Sequence, residues 1–347
     1  MTDNIYNQSK KDLKNYLKNN SFDAYRVDQI WNWLYVKGVD KFSDMKNVSN
    51  NLIKLLEQNF YFHYPKTKTC LKSKDGTIKW LLTLHDNREI ETVYIPEEKR
   101  NTVCISSQVG CTLSCSFCHT GTMKFIRNLE VSEIVGQVLK VKNDLQDWQL
   151  KTEEKKVTNI VFMGMGEPFF NYDNVIKAIN LFCDEKGLAL SKRKVTISTS
   201  GVVPGIESFK QEKDVNLAIS LHAAFNDVRN KLVPINKKWP LDKLIKSLKN
   251  YKEVREKKRI TIEYIMLENI NDSIKDAKML INLLKPLKSK VNLIPFNPWP
   301  GTNYKVSSEA KIKEFQKYVL EKGNIIATIR TPRGEDILAA CGQLKSL

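Results

Sequence analysis

The chain has 347 residues, the length of about two ordinary domains, and 41% of them are hydrophobic, enough for a sizeable core. The 56 Lys and Arg residues against 39 Asp and Glu give a formal net charge of +17, while a charged fraction of 27% is ordinary and excludes bulk disorder. No apolar run approaches the ~18 residues of a membrane span, and the opening MTDNIYNQSKKDLKNYLKNN lacks a signal-peptide core. A cytoplasmic protein with reduced thiols and no membrane partner is expected.

Residues 1–62 read as a small helical domain. Val27, Ile30, Trp31 and Leu34 form one apolar stripe at helical spacing, and Leu52, Ile53, Leu55 and Leu56 repeat the signal. Residues 63–98 change character. An Asp75–Gly76 turn separates strand-like runs, and EIETVYI follows, so a short β linker is expected there. From about residue 99 onward a strand–helix rhythm begins. Strands are predicted at 102–106, 157–163, 194–199, 215–221, 259–266 and 290–294, with helices at 132–143, 173–182, 241–251, 273–284 and 307–323. Six such units argue for an α/β fold with a parallel sheet, open or curled into a partial barrel.

The polar motifs SSQVGC, GMGEP, STSG, SLH and PFNPWPG each fall at or just after the C-terminal end of a predicted strand. Ligands of parallel α/β sheets gather at that end. Basic runs recur in KKDLKNYLKNN, in SKRK at Ser191–Lys194, along Asn236–Arg259 and in KPLKSK at Lys285–Lys290. Any one of them fits a solvated helix face. Their sum points to a polyanionic partner.

Three of the seven cysteines lie within eight residues, Cys111, Cys115 and Cys118, in a C-x3-C-x2-C spacing. Clustered cysteines in a reducing compartment suggest metal or catalysis. Zinc would require a fourth ligand, His119 or Cys104, but His119 directly follows Cys118 and no second cysteine pair exists. A [4Fe–4S] cluster on three cysteines leaves one iron open for a ligand, and the spacing favours it.

The spacing, with Phe117 before the last cysteine, resembles the radical S-adenosylmethionine (SAM) superfamily. The resemblance implies a partial (β/α)6 barrel whose open iron holds SAM and whose cluster cleaves it to a 5′-deoxyadenosyl radical. Gly164, Gly166 and Glu167 of GMGEP fit the glycine-rich SAM contact of that superfamily. Nearly the whole chain, from YRVDQIWNWLY to TPRGEDILAACGQL, is similar to the RlmN family of dual-specificity RNA adenine-C2 methyltransferases. That likeness implies SAM contacts at Gly166, Glu167, Ser198, Ser220, Leu221, His222 and Asn297. It makes Cys341 the methyl carrier, Glu91 the proton acceptor and Cys104 the second thiol. A lowered pKa at Cys104 would favour its attack on the carrier sulfur, which leaves a transient disulfide. His119 stands where relatives carry small residues and reads as a solvent-facing loop residue. Cys70 has no role, and Cys183 reads as core.

The same likeness implies two SAM per turnover and a covalent protein–RNA intermediate. Its substrates are an adenosine near the peptidyl transferase centre of 23S rRNA and the adenosine 3′ of the tRNA anticodon. A flavodoxin- or ferredoxin-type electron donor is implied, and nothing marks an oligomerisation seam, so a monomer is expected. The N-terminal helical region and the basic helices are expected to hold the RNA. The competing readings are a Cfr-type adenine-C8 methyltransferase, a radical SAM enzyme acting on a small molecule, and a non-catalytic RNA-binding protein holding zinc or a structural cluster.

Overall fold

The computed structural model describes residues 2–212, 214–254 and 259–345. Part of the basic run Asn236–Arg259, at 255–258, lies outside the described residues, as do position 1 and positions 346–347 of the chain ends.

One ten-stranded sheet organises the molecule. Its strands are β1 (Lys66–Lys72), β2 (Ile78–Thr83), β3 (Glu89–Ile95), β4 (Thr102–Cys104), β5 (Asn159–Phe162), β6 (Val195–Thr199), β7 (Asn216–Ser220), β8 (Ile260–Met266), β9 (Ser289–Pro295) and β10 (Ile326–Ile329). They pair strictly in chain order. Seven strands from β4 to β10 are parallel. Helices α4 (Val131–Asp144), α5 (Tyr172–Phe182), α6 (Val203–Phe209), α7 (Asn226–Leu232), α8 (Leu241–Val254), α9 (Ile274–Leu284) and α10 (Glu309–Gly323) connect them. Crossovers of constant hand put the helices on one face, and a sheet always advancing in one direction curls into an open barrel. The expected partial barrel is present, and β10 adds a seventh parallel strand. That strand is only four residues long and mostly exposed, so its sequence lacks a buried-strand pattern.

Residues 63–98 continue this same sheet. The Asp75–Gly76 turn joins β1 to β2, with Gly76 at φ +85°, and β3 pairs antiparallel with β4. The N-terminal helices are α1 (Lys10–Asn19), α2 (Arg26–Asn32) and α3 (Asn50–Asn59). Ser9 and Asp12 form a reciprocal capping box at the start of α1. The stripe Val27, Ile30, Trp31 and Leu34 is buried, as are Leu52 and Leu56 of α3, while Ile53 and Leu55 are only partly covered. These side chains belong to the same apolar core as the barrel. The tie to α4 is also polar: Asn7 accepts from the Ser132 N–H at 2.9 Å and donates to Glu130 at 3.2 Å.

A shared core makes the helical region part of one cooperative unit. Trp31 is 1% exposed and packs on Tyr35 at 4.6 Å. Trp31→Ala is expected to destabilise the whole chain by about 3–5 kcal/mol in a chemical denaturation curve with a single transition. A separate early transition with the barrel unaffected would show that the helices fold apart from it.

Candidate active site

Every motif placed at a strand end by its sequence lies there. β4 leads through Ser106–Gln108 into the cysteine loop, and β5 ends before GMGEP. The two segments are zipped together. The Ser107 N–H donates to the Met165 carbonyl at 2.8 Å, the Met165 N–H to Ser106 Oγ at 2.9 Å and the Glu167 N–H to Gln108 Oε1 at 3.0 Å. A side chain at position 166 is barred twice over. Its φ is +97°, and a Cβ there would sit 2.5 Å from the Gln108 Cβ.

One cavity is lined by Cys111, Cys115, Cys118, Gly166, Glu167, Ser198, Ser220, His222 and Cys341. The thiols are free. Three thiols on one loop are the donor set of an iron–sulfur centre that leaves one iron open. Burial raises all three thiols, Cys111 to about 12. Thiolate ligation therefore depends on the positive charge of the bound centre.

The remaining side chains are fixed around that space. Glu167 is fully buried, and its two oxygens accept from the Phe169 and Ser200 N–H groups at 3.1 and 2.8 Å. Burial nonetheless lifts its carboxyl to about 7. The Ser198 and Ser220 hydroxyls meet at 3.2 Å. His222 adopts a left-handed backbone, φ +61°, and its Nδ1 accepts from the Ile265 N–H at 3.1 Å, leaving the proton on Nε2. Burial, then Arg229, lowers its pKa to about 3, so the ring is neutral. Phe117 packs edge-on to it at 4.7 Å.

Two predicted cofactor contacts lie elsewhere. The Leu221 side chain is in the core, and Asn297 lines a side chamber with Cys104 and Cys341, donating to the Cys341 carbonyl at 3.1 Å. Cys104 does not have the lowered pKa that would favour its attack. Burial, reinforced by Cys341 and only partly opposed by Arg330, pushes it up to about 12. Glu91 lines neither space. Its carboxylate pairs with Lys79 at 2.9 Å and accepts from the Lys345 N–H at 2.8 Å, and burial raises its pKa despite Lys79. Cys70 is exposed and Cys183 is half-buried against the core.

The tail carrying Cys341 is pinned across the cysteine loop. The His119 N–H donates to the Gly342 carbonyl at 2.8 Å, Thr120 Oγ1 to the Leu344 carbonyl at 2.5 Å, and Gln343 Nε2 to the Pro298 carbonyl at 2.7 Å. His119 is partly exposed, and its ring also stacks on Trp299 at 4.6 Å with planes 7° apart. Further back, Asp75 accepts from the Gly334 N–H at 2.9 Å, and Asp336 accepts from Ser73 Oγ at 2.6 Å.

Sequence reasoning missed Arg229, Lys79 and Trp299. Arg229 is wholly buried and donates to the carbonyls of Leu221 at 2.9 Å and Ser200 at 2.6 Å, and to Asn236 at 2.8 Å. Burial lowers its pKa to about 10, and nearby Cys115 opposes the shift. In a chain with 56 cations, one more arginine carries no signal of its own. A Trp between two prolines in NPWPG was the only hint of a stacking partner.

A three-thiol loop at the mouth of an open parallel barrel, against a glycine strand end and a neutral histidine, defines a radical SAM enzyme. The Radical SAM superfamily model matches residues 105–281, and the model described as "Ribosomal RNA large subunit methyltransferase N-terminal domain" matches residues 3–61. The dual-specificity RNA methyltransferases RlmN of Brucella anthropi and Agrobacterium fabrum are each 52% identical over 335 residues. The match covers 92% of this chain and 81% and 82% of theirs. A radical SAM methyltransferase from Sphaerobacter thermophilus superposes with a TM-score of 0.92 at 37% identity, covering 99% of both chains. The chain belongs to the RlmN family of RNA methyltransferases. Membership implies a [4Fe–4S] cluster and SAM. No helix among the described residues is long and apolar enough to cross a membrane.

The Asp75 anchor has a pH signature. Burial would raise this carboxyl, but hydrogen bonds from Thr77, Gly334 and Ser73 outweigh it and hold it at about 2. A depressed folded-state pKa means the anchor is fully present above about pH 4 and lost as the pH falls through about 2. Asp75→Asn at neutral pH should speed hydrogen exchange of the 334–345 amides several-fold. Unchanged exchange would show that the tail is held by the cysteine loop alone.

Proposed function

We propose that this chain makes 2-methyladenosine in 23S rRNA at the peptidyl transferase centre and in tRNA 3′ of the anticodon. The observation that carries the reading is the convergence on one cavity of Cys341, on the tail, with Cys111, Cys115 and Cys118. A plain SAM methyltransferase needs neither a cluster nor a second thiol. Adenine C2 is electron-poor and does not attack a methyl donor, so a carrier and a radical are both needed.

In this reading Cys111, Cys115 and Cys118 hold the cluster. Gly166, Glu167, Ser198, Ser220 and His222 bind SAM, with Asn297 and the Leu221 backbone at the margin. The bound cluster and SAM supply the methyl group and the 5′-deoxyadenosyl radical. Cys341 carries the methyl group; that group gives up one hydrogen atom to the radical, and its S-methylene carbon becomes bonded to C2, tethering the RNA. The adduct's unpaired electron passes to a one-electron acceptor as Glu91 accepts the C2 proton. The Cys104 thiolate attacks the Cys341 sulfur. The carbon–sulfur bond breaks with its electron pair going to the product carbon, which takes up a proton. A Cys104–Cys341 disulfide remains for a reductant to open. Because burial holds Cys104 high and ties Glu91 to Lys79 and the tail, these last steps require the tail to shift when RNA is bound.

The domain division follows the same reading. Residues 1–62 serve as an RNA-binding accessory unit, 63–98 as the β element beside it, and 99–347 as the radical SAM core with its tail. The protein acts as a monomer in the cytoplasm, with a flavodoxin- or ferredoxin-type electron donor.

Nucleoside mass spectrometry after anaerobic reconstitution with SAM, reductant and either RNA tests the product. 2-Methyladenosine is expected, and it should vanish in Cys341→Ala. 8-Methyladenosine would move the chain to the Cfr-type branch, and no methylated adenosine from a loaded enzyme would refute the RNA reading. Cys104→Ala should accumulate a protein–RNA adduct visible on a denaturing gel. In the wild type the adduct should resolve faster as pH rises from 6 to 9, by up to roughly tenfold per unit, since a thiol with a raised pKa gains thiolate steadily over that range. Normal turnover in Cys104→Ala, without adduct, removes that thiol from the mechanism.

A further inference from the structure

Three spaces inside the barrel lie next to one another and share walls. The cysteine-lined cavity and the chamber of Cys104 and Asn297 share Met163, Ile294, Cys341 and Leu344. That chamber shares Ile95, Met163, Arg330 and Arg333 with a third space lower in the barrel. Small closed barrels fill such interiors with branched apolar side chains. Here Thr102 of β4, Thr196 of β6, Thr261 of β8, Asn292 of β9 and Thr328 of β10 line it instead. The Thr102 hydroxyl and Arg333 Nε are buried with no hydrogen-bond partner among the described residues, as is Asn297 Oδ1 in the chamber above. Buried polar atoms left this way await water or a ligand.

The lining is also cationic. Arg100, Lys290, Arg330 and Arg333 face it against Glu97 and Glu263, a surplus of two positive charges. Glu97 is already paired with Arg100 at 3.0 Å, and Glu263 accepts from Asn292 at 3.0 Å. Lys290 is exposed and forms no ion pair among the described residues.

Access to Cys341 differs on its two sides. On the cysteine-loop side, the bonds from His119 to Gly342 and from Thr120 to Leu344 hold the tail down. A bulky substrate entering there must break them. On the other side the chamber is separated from the polar space only by the side chains they share, Ile95, Met163, Arg330 and Arg333.

We propose that this polar space is the entry and docking site of the target nucleotide, flipped out of the RNA, with its flanking phosphates on Lys290, Arg100 and Arg333. This rests on the RNA methyltransferase reading above. The threonines and Asn292 supply donors and acceptors to a base edge, and single-stranded bases are the ones whose edges are open to such contacts. The cations supply the salt-dependent part of the affinity. The cofactor side and the RNA side of Cys341 are then opposite faces, and the carrier thiol stands between them.

The test uses the full-length reconstituted protein and its RNA substrate. Lys290→Glu and Thr328→Glu each add negative charge to the wall of this space, and Lys177→Glu makes the same change at an exposed position on α5, outside the basic runs. Folding is checked by circular dichroism and cluster absorbance. Lys290→Glu is expected to weaken RNA binding about tenfold or more and to lower the salt slope by about one, with Thr328→Glu also weaker and Lys177→Glu close to wild type. Wild-type affinity in both wall variants, or an equal loss in Lys177→Glu, overturns the docking site while leaving the methyltransferase reading intact. A wild-type protein that neither binds nor methylates RNA overturns both.

Discussion

The contact between the C-terminal tail and the cysteine loop is the constraint on which the rest of the site depends. Six hydrogen bonds tie residues 341–345 to Asn297, Pro298, His119, Thr120 and Glu91, two of them from His119. They bring the last turn of the chain beside a loop that follows the first parallel strand. Each bond is individually modest, about 0.5–1.5 kcal/mol net. Together they hold the Cys341 thiol at the wall shared by the cysteine-lined cavity and the chamber of Cys104. They are also few and short-range enough to rearrange in one step.

The antiparallel strands β1–β3 take their meaning from that tail. Their hairpin turn holds Gly334 through Asp75, and Lys79 on β2 donates to the Leu338 carbonyl at 3.1 Å while pairing with Glu91 on β3. The extension of the sheet is thus a platform for a segment with no regular structure of its own beyond one short turn. A tail lacking a ladder needs anchors at intervals, and the platform supplies them from side chains pointing off one edge of the barrel.

Legibility followed the range of the interactions. Strand ends and helix stripes depend on local periodicity and were readable, down to the positions of SSQVGC, GMGEP, STSG and SLH. The four-residue β10 was not, because its pairing with β9 is set by the barrel and not by its own pattern. The cysteine loop was readable because thiol spacing is itself a chemical signal. Arg229, the Lys79–Glu91 pair and the His119–Trp299 stack were not, since each joins residues whose partners are chosen only by the fold. The protonation state of Cys104 was not legible for the same reason. Motif likeness says nothing about desolvation, and the depth of burial at β4 decides the protonation state.

Burial also explains how the barrel divides its labour. The upper cavity gathers thiols and Glu167 in a low-dielectric space, with Arg229 as the buried cation against them. That guanidinium is held by carbonyls of the STSG and SLH loops, so the charge that offsets the thiols also fixes the strand ends around them. The lower space reverses the sign, with cations in excess and hydroxyls on the walls. Arg330 lies at the boundary, lining the chamber of Cys104 and Cys341 as well as the polar space below. A positive charge there lowers the pKa of both thiols against the upward pull of burial. An anionic backbone entering from below would weaken that influence, whereas tail movement that admits water would lessen the burial penalty. Resolution of the adduct therefore depends on which change is larger, and the depth of Cys104 makes hydration the dominant one.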